Sequence, residues 1–286
     1  MKPWVRWGVV LLVAGIAGTA GTWLYAHERA ARDRTYTIGS STAPDRLRIV
    51  ASVQRIDASA HDLVLRVLVV PLGRYAEADS PLTPTRDLLI ETTALRPGSL
   101  AIPAGERSSS TDLTVGLDGD AITAYPFDKY QVTIGFYAEV AGEPVPVSVE
   151  IFSNDPLFRS RLAQHVDDST VEISFSRTSG SLIMGWFMIG GMWALALAVL
   201  AGAWVIVRQR RGLVWPALGW MAATFFALAA FRNTAPGLPP IGSVLDYAAF
   251  LWAEAVIAIS LAVTAAAGLR VERAPATGPA TPAAGS

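Results

Sequence analysis

Cysteine is absent from all 286 residues. No disulfide can brace the fold, so any exported part must be held together by its core. Charge is scarce, at 16% of residues against 52% hydrophobic. Histidine occurs three times, at His27, His61 and His165, far apart and without the spacing of metal ligands. An HExxH motif, a phosphate-binding loop and a G-x-S-x-G elbow are all missing. With no nucleophile–base pair and no ligand set, the sequence gives no reason to expect an enzyme, and no cofactor or metal is expected. Asp112, Asp118 and Asp120 could hold Ca²⁺ through oxygen ligands, but acidic residues at a hairpin turn are the simpler reading. Tryptophan is missing from residues 28–180, although the chain has nine.

What is present explains that gap. Four uncharged or nearly uncharged apolar runs occur, at Gly8–Ala26, Leu182–Val207, Leu213–Phe231 and roughly Val244–Leu269. Each is long enough to cross a hydrocarbon core of about 30 Å as a helix. All nine Trp lie in or beside these runs, as expected of an indole that favours the headgroup level. The predicted fold class is therefore a membrane protein, β + α. One N-terminal transmembrane helix and three C-terminal ones flank an extracytoplasmic domain. Four segments follow: an anchor over 1–27, a globular domain over 28–180, a three-helix membrane domain over 181–270 and a cytoplasmic tail over 271–286. The first run also has features of a signal peptide, with a basic start and small residues at Gly18 and Ala20. Trp23 and Tyr25 at its end favour an uncleaved anchor. The final 13 residues, Ala274–Ser286, are uncharged Ala, Pro, Thr, Gly and Ser, a composition that predicts disorder.

Orientation is read from the short loops. Arg208, Arg210 and Arg211 follow the second run, and Arg270 and Arg273 follow the fourth. The positive-inside rule puts these flanks in the cytoplasm. Both termini are then cytoplasmic and residues 28–180 lie outside a plasma membrane crossed several times. From Arg29 to Gly180 there are 15 basic and 20 acidic residues, a net charge of −5. That balance argues against nucleic acid and against electrostatic docking on anionic headgroups.

The 28–180 segment reads as mostly β. Leu47, Ile49, Ala51 and Val53 alternate with Arg48, Val50 and Ser52. The same period recurs at Leu63–Val69, Val132–Ala138, Val145–Ile151 and Val171–Phe175. Leu88–Thr92, Leu113–Leu117 and Ala121–Tyr125 are shorter candidates. About eight strands separated by turn formers predict a β-sandwich. Asn154–Val166 breaks the pattern, and Asp155-Pro156 there predicts the cap of a short helix.

Three places carry unusual chemistry. Glu254 lies about 15 Å into the last run at 1.5 Å per residue. A carboxylate at that depth costs about 2.5 kcal/mol or more, so it should face a protein interior, a cavity or a partner subunit. One reading is a proton or ion relay or a polar contact between subunits. The other is a neutral carboxyl bonded to a neighbouring helix through Thr224, a Trp N–H or backbone. Asp246 and Arg232 bracket the loop before that run and suggest a pair clamping it, with Pro239 and Pro240 stiffening the turn. Tyr125, Pro126, Phe127 and Asp128 place aromatics, a proline and an acid just before a strand. Arg177 ends the last strand, about five residues before the second run. Asp128 is expected to pair with Arg177 or, failing that, Arg232; the alternative is that it caps its own turn.

The YPFDKY run at Tyr125–Tyr130, the RNxxPGxPPIGxxxD run from Arg232 to Asp246, and FLWAE at Phe250–Glu254 resemble domain-of-unknown-function family 4436, a set of actinobacterial integral membrane proteins. The likeness extends to the order of one span, β domain and three spans. It implies a membrane location and no particular activity. A fainter resemblance is to pentameric ligand-gated channels. Tyr125–Asp128 would match their aromatic-Pro-x-Asp loop and Arg177 the arginine ending their last strand. The chain departs from them by an extra first span, a shorter sandwich and no fourth channel helix. Its would-be pore run carries Trp215, Pro216, Trp220, Phe225 and Phe226, a lining that dewets. The expected function is thus a non-catalytic envelope protein whose sandwich binds a ligand or a protein partner, the expected contacts being the lipid bilayer and either an envelope protein partner or a second copy of the chain. The alternative is a channel- or transporter-like component using Glu254.

Overall fold

A computed structural model describes residues 15, 18–19, 21–26, 35–40, 42–167 and 169–273. The chain divides into two compact units, Met1–Ile183 and Met184–Ser286. Most of the first apolar run, His27 and the tail Ala274–Ser286 lie outside the described residues; what is described of the run is helical.

The first unit is β-rich, with 14 strands in three sheets among the described residues. One sheet has five strands in the order β1-β12-β2-β3-β8. These are Tyr36–Gly39, Val147–Ser153, Arg46–Asp57, Asp62–Leu72 and Thr111–Gly116. The larger sheet runs β13-β14-β10-β6-β7, with the two-residue strands β9 (Asp118–Gly119) and β11 (Glu143–Pro144) also paired to β10. Its main strands are Phe158–His165, Thr170–Arg177, Lys129–Val140, Leu88–Thr92 and Ser99–Ile102. A small β4-β5 pair, Ala76–Glu77 with Ser80–Pro84, completes the unit. Pairing is antiparallel except where β12 runs parallel to β2. Alternation drives this arrangement. Leu47, Ile49, Ala51 and Val53 on β2, and Tyr130, Val132 and Ile134 on β10, all point into one hydrophobic core fed by both larger sheets. That core has no cystine to help it.

Several expectations change. There are more strands than eight because short edge strands, such as β1 and β7, carry little periodicity. Ala121–Tyr125 is no strand; Ile122–Ala124 forms a 3₁₀ turn. The Asn154–Val166 stretch holds no helix but the strand β13. Asp155 does act as a cap, yet for a strand entry. Its carboxylate accepts N–H bonds from Leu157 and Phe158 at 2.8 and 3.2 Å and from Ile56 at 2.8 Å. Such a buried acceptor fixes the chain more firmly than a helix start needs.

The second unit is helical, with α1 at Ser179–Arg208 (its first turns falling in the first unit), α2 at Trp215–Arg232 and α3 at Leu251–Arg273. A π-helical turn, Asp246–Phe250, leads into α3. The expected count of one plus three membrane helices is not matched. Among the described residues two helices are long and apolar enough to cross a membrane: Ser179–Arg208 and Asp246–Arg273. The third run yields only the 18-residue α2, which starts on Trp215-Pro216 and ends on a buried arginine. Tryptophan, proline and arginine dilute its apolar character, and about 27 Å of rise is barely a hydrocarbon core.

Candidate functional site

Two buried ion pairs and one isolated carboxyl organise the polar chemistry. In the first unit Arg177 closes β14, where it faces Phe158 of β13 across the ladder. The Arg177 guanidinium grips Asp128 with Nε at 2.9 and 3.1 Å from the two carboxylate oxygens and Nη2 at 2.8 Å from Oδ2. Both side chains are essentially buried. Rings complete the setting: the guanidinium carbon lies 4.2 Å from the Phe158 centroid and 5.1 Å from that of Tyr125. A planar, weakly hydrated cation suits such a slot better than an ammonium would. Tyr130 packs edge-on against Phe158. Burial, with the Asp128 charge beside it, pushes the Tyr130 phenol well above its ordinary range. Pro126 is buried within this turn, while Phe127 is about half exposed. Asp128 therefore takes up Arg177, not Arg232.

In the second unit Arg232, the last residue of α2, grips Asp246 through two bonds of 2.7 Å. Its remaining donors go to the carbonyls of Pro239 and Pro240 at 2.9 and 2.8 Å. Asp246 Oδ2 also accepts the N–H groups of Gly242 and Ser243 and the Ser243 hydroxyl, at 2.7, 3.0 and 3.1 Å. Gly242 sits at φ +98°, a conformation glycine adopts without a Cβ penalty and which turns its N–H toward the carboxylate. One ion pair thus threads the whole α2–α3 connection. The two prolines, which cannot donate, serve as acceptors. Leu238 and Ile241 project from this clamped loop and are largely exposed.

Glu254 lies one turn into α3. Its two carboxyl oxygens are buried and have no hydrogen-bond partner among the described residues. The expected local partners are engaged elsewhere. Thr224 donates to the Trp220 carbonyl at 2.8 Å, Trp193 Nε1 to Ala248 at 3.0 Å and Trp252 Nε1 to Tyr247 at 2.8 Å. The acidic trio does not converge. Asp112 forms a two-point pair with Arg66 at 2.7 and 3.0 Å, which holds its carboxyl below the ordinary range, and Asp120 accepts the Lys129 N–H at 3.0 Å. Among the described residues no group of three His, Cys, Asp or Glu is placed to hold a metal ion.

Sequence reasoning missed the aromatic slot around Arg177, since Phe158 lies on the unrecognised edge strand. It also missed a second feature of that strand. On the outer face, Arg159 and Arg161 of β13 stand opposite Ser176 and Ser174 of β14, which in turn oppose Lys129 and Gln131 of β10.

No curated protein matches the chain. Residues 177–271 match a family described as Domain of unknown function (DUF8686). Residues 37–175, which run from β1 into β14, match Domain of unknown function (DUF4436), and this β-rich part of the chain belongs to that family.

Proposed function

We propose that the protein is a non-catalytic integral membrane protein of the cell envelope whose extracytoplasmic β-sandwich binds a ligand or protein partner. The supporting observation is the division of surface chemistry. On α1 and α3, Trp186, Phe187, Trp204 and Trp252 are each more than half exposed, which water does not favour and lipid does. In this reading α1 and α3 anchor the chain, α2 returns it across the bilayer between them, and the arginines after α1 and α3 stay in the cytoplasm. The β unit then stands outside. Its two-sheet core and its internally paired Asp128, Arg177 and Asp155 suit a rigid scaffold that presents a surface, and fold alone never decides more.

A second reading keeps one observation of its own. The enclosed, unpartnered Glu254 carboxyl fits a proton- or ion-handling membrane component. The two readings differ in what is purified from native membranes in mild detergent. A stable heteromer containing this chain supports the envelope-binding role. A homo-oligomer whose ion flux vanishes with Glu254→Gln supports the second. A monomer with neither property contradicts both.

A further inference from the structure

We propose that the outer face of β13, β14 and β10 is a binding site for a phosphate-bearing anion. Three cations meet there. Arg159 and Arg161 lie two residues apart on β13, about 7 Å along an extended strand. Lys129 lies two strands away from Arg159 in the same cross-strand row, about 10 Å across, with Ser176 between them. The next row is Arg161, Ser174 and Gln131. The inward-facing neighbours Tyr130, Phe175 and Ile173 are buried core, so the alternation of the strands turns these polar residues outward. Lys129, Gln131, Arg161, Ser174 and Ser176 line a pocket of about 440 Å³ whose other walls include Gly119 and Asp120; Arg159 stands next to it in the Ser176 row, outside the lining.

The charges in it are unspent. No ion pair joins Arg159, Arg161 or Lys129 to an acid among the described residues. Asp120 directs an oxygen to the Lys129 backbone N–H. Glu172 stands one row further on, opposite Thr133. Two guanidinium groups, an ammonium, the Ser176 hydroxyl and an amide form a donor set suited to tetrahedral oxyanions and poorly suited to cations, while the Ser174 hydroxyl donates to the Arg161 carbonyl at 3.3 Å. The net charge of −5 over the domain does not oppose this, because charges beyond a Debye length of about 8 Å are screened. What an anion meets is the local row.

Position narrows the source. Ser176 is followed by Arg177 and Thr178, and α1 begins at Ser179. The cations therefore sit at the end of the sheet from which the chain enters α1. If that helix crosses the bilayer, a phospholipid headgroup is the nearest phosphate; this choice of source rests on the reading proposed above, while the anion site itself does not. A free phosphate compound has the same chemistry.

Native mass spectrometry of the full chain in detergent separates these cases, with phosphatidylglycerol and inorganic phosphate as the probes. The triple variant Lys129→Gln, Arg159→Gln, Arg161→Gln should lose about tenfold or more in affinity, as expected for removing several charge-assisted bonds. Arg48→Gln, on the other large sheet, should leave affinity unchanged. A variant-sensitive signal from phosphatidylglycerol that inorganic phosphate does not displace identifies the lipid headgroup. Variant-sensitive binding of inorganic phosphate identifies a soluble anion. Equal binding of both probes to the wild type and the triple variant overturns the proposal. The exposed single variant Arg161→Gln, expected to weaken binding severalfold, gives the same decision if the triple variant does not fold. Loss of the anion site would leave the envelope-binding role standing, since that is judged from co-purified mass.

Discussion

Cutting the Asp128–Arg177 pair probes how the β unit is held at the strand that leads into α1. Asp128→Ala leaves a guanidinium that is almost wholly enclosed, with no carboxylate to meet it. Removing one member of such a pair costs about 3–5 kcal/mol, most of it the uncompensated buried charge. Arg177→Ala costs a comparable amount, because it also empties the slot between Phe158 and Tyr125. Replacing both, as Asp128→Leu with Arg177→Met, fills the space with apolar atoms and should fall well short of the sum. A loss of about 3–5 kcal/mol in a domain of this size lowers the melting midpoint by roughly 10 °C or somewhat more. Circular dichroism of the intact chain in detergent reads this from the β signal. Hydrogen exchange along Lys129–Val140 and Thr170–Arg177 localises it. Additive effects, or single losses below about 1 kcal/mol, would refute the assignment of this pair as a structural latch.

Other expectations follow from single residues. Arg232→Ala should free the carbonyls of Pro239 and Pro240 together with Asp246, costing about 3 kcal/mol or more; protease cutting within residues 233–245 should then rise sharply, and unchanged resistance would mean the loop is held by something else. The Asp57 carboxyl is held below its ordinary value by the Ser59 hydroxyl and the Ala60 N–H. A depressed folded value stabilises above the unfolded value near 3.8 and the gain disappears as pH falls through the folded one. Exchange of the Asp57–Asp62 turn amides should therefore accelerate in acid beyond its intrinsic pH dependence, and Asp57→Asn should abolish that excess. Glu254→Leu should raise thermal stability or leave it unchanged, since no bond is lost; a drop of several degrees would show that the carboxyl has a partner in the assembled protein.

Legibility in the sequence followed the physics of burial. Strands with one face in the core declared themselves by alternation: Leu47–Val53 lies within β2 and Leu88–Thr92 is β6 to the residue. Edge strands did not. β13 pairs on one side only, carries a register irregularity between Leu162 and Gln164 and exposes much of its length, so no period survives. Asp155-Pro156 was misleading for a related reason: the same acceptor geometry that starts a helix also serves a strand entry. Charged residues were easier. An arginine ending the last strand and an acid in a stiff aromatic turn each needed a partner, and in the folded chain they meet. The loop pair Arg232–Asp246 was legible on the same logic, but its bonds to proline carbonyls were not. The outward basic row stayed hidden because it is assembled across three strands, one of them unrecognised. Family-level likeness was readable from YPFDKY, which falls within the matched residues 37–175; the Pro-rich loop falls instead within residues 177–271, which match the second family, and the number of helices able to span a membrane was not legible.

In the proposed arrangement the helices cross a bilayer and the β unit stands outside the cell. A chain without cysteine permits a direct test. Cysteine is introduced at Ser110, which is exposed on the β unit, and separately at Arg210, beyond the end of α1. Intact cells are then treated with a membrane-impermeant maleimide. Labelling of Ser110→Cys in intact cells, with Arg210→Cys reacting only after permeabilisation, is the predicted result. The reverse pattern contradicts the orientation, and recovery of the unlabelled protein in the soluble fraction contradicts the membrane location itself.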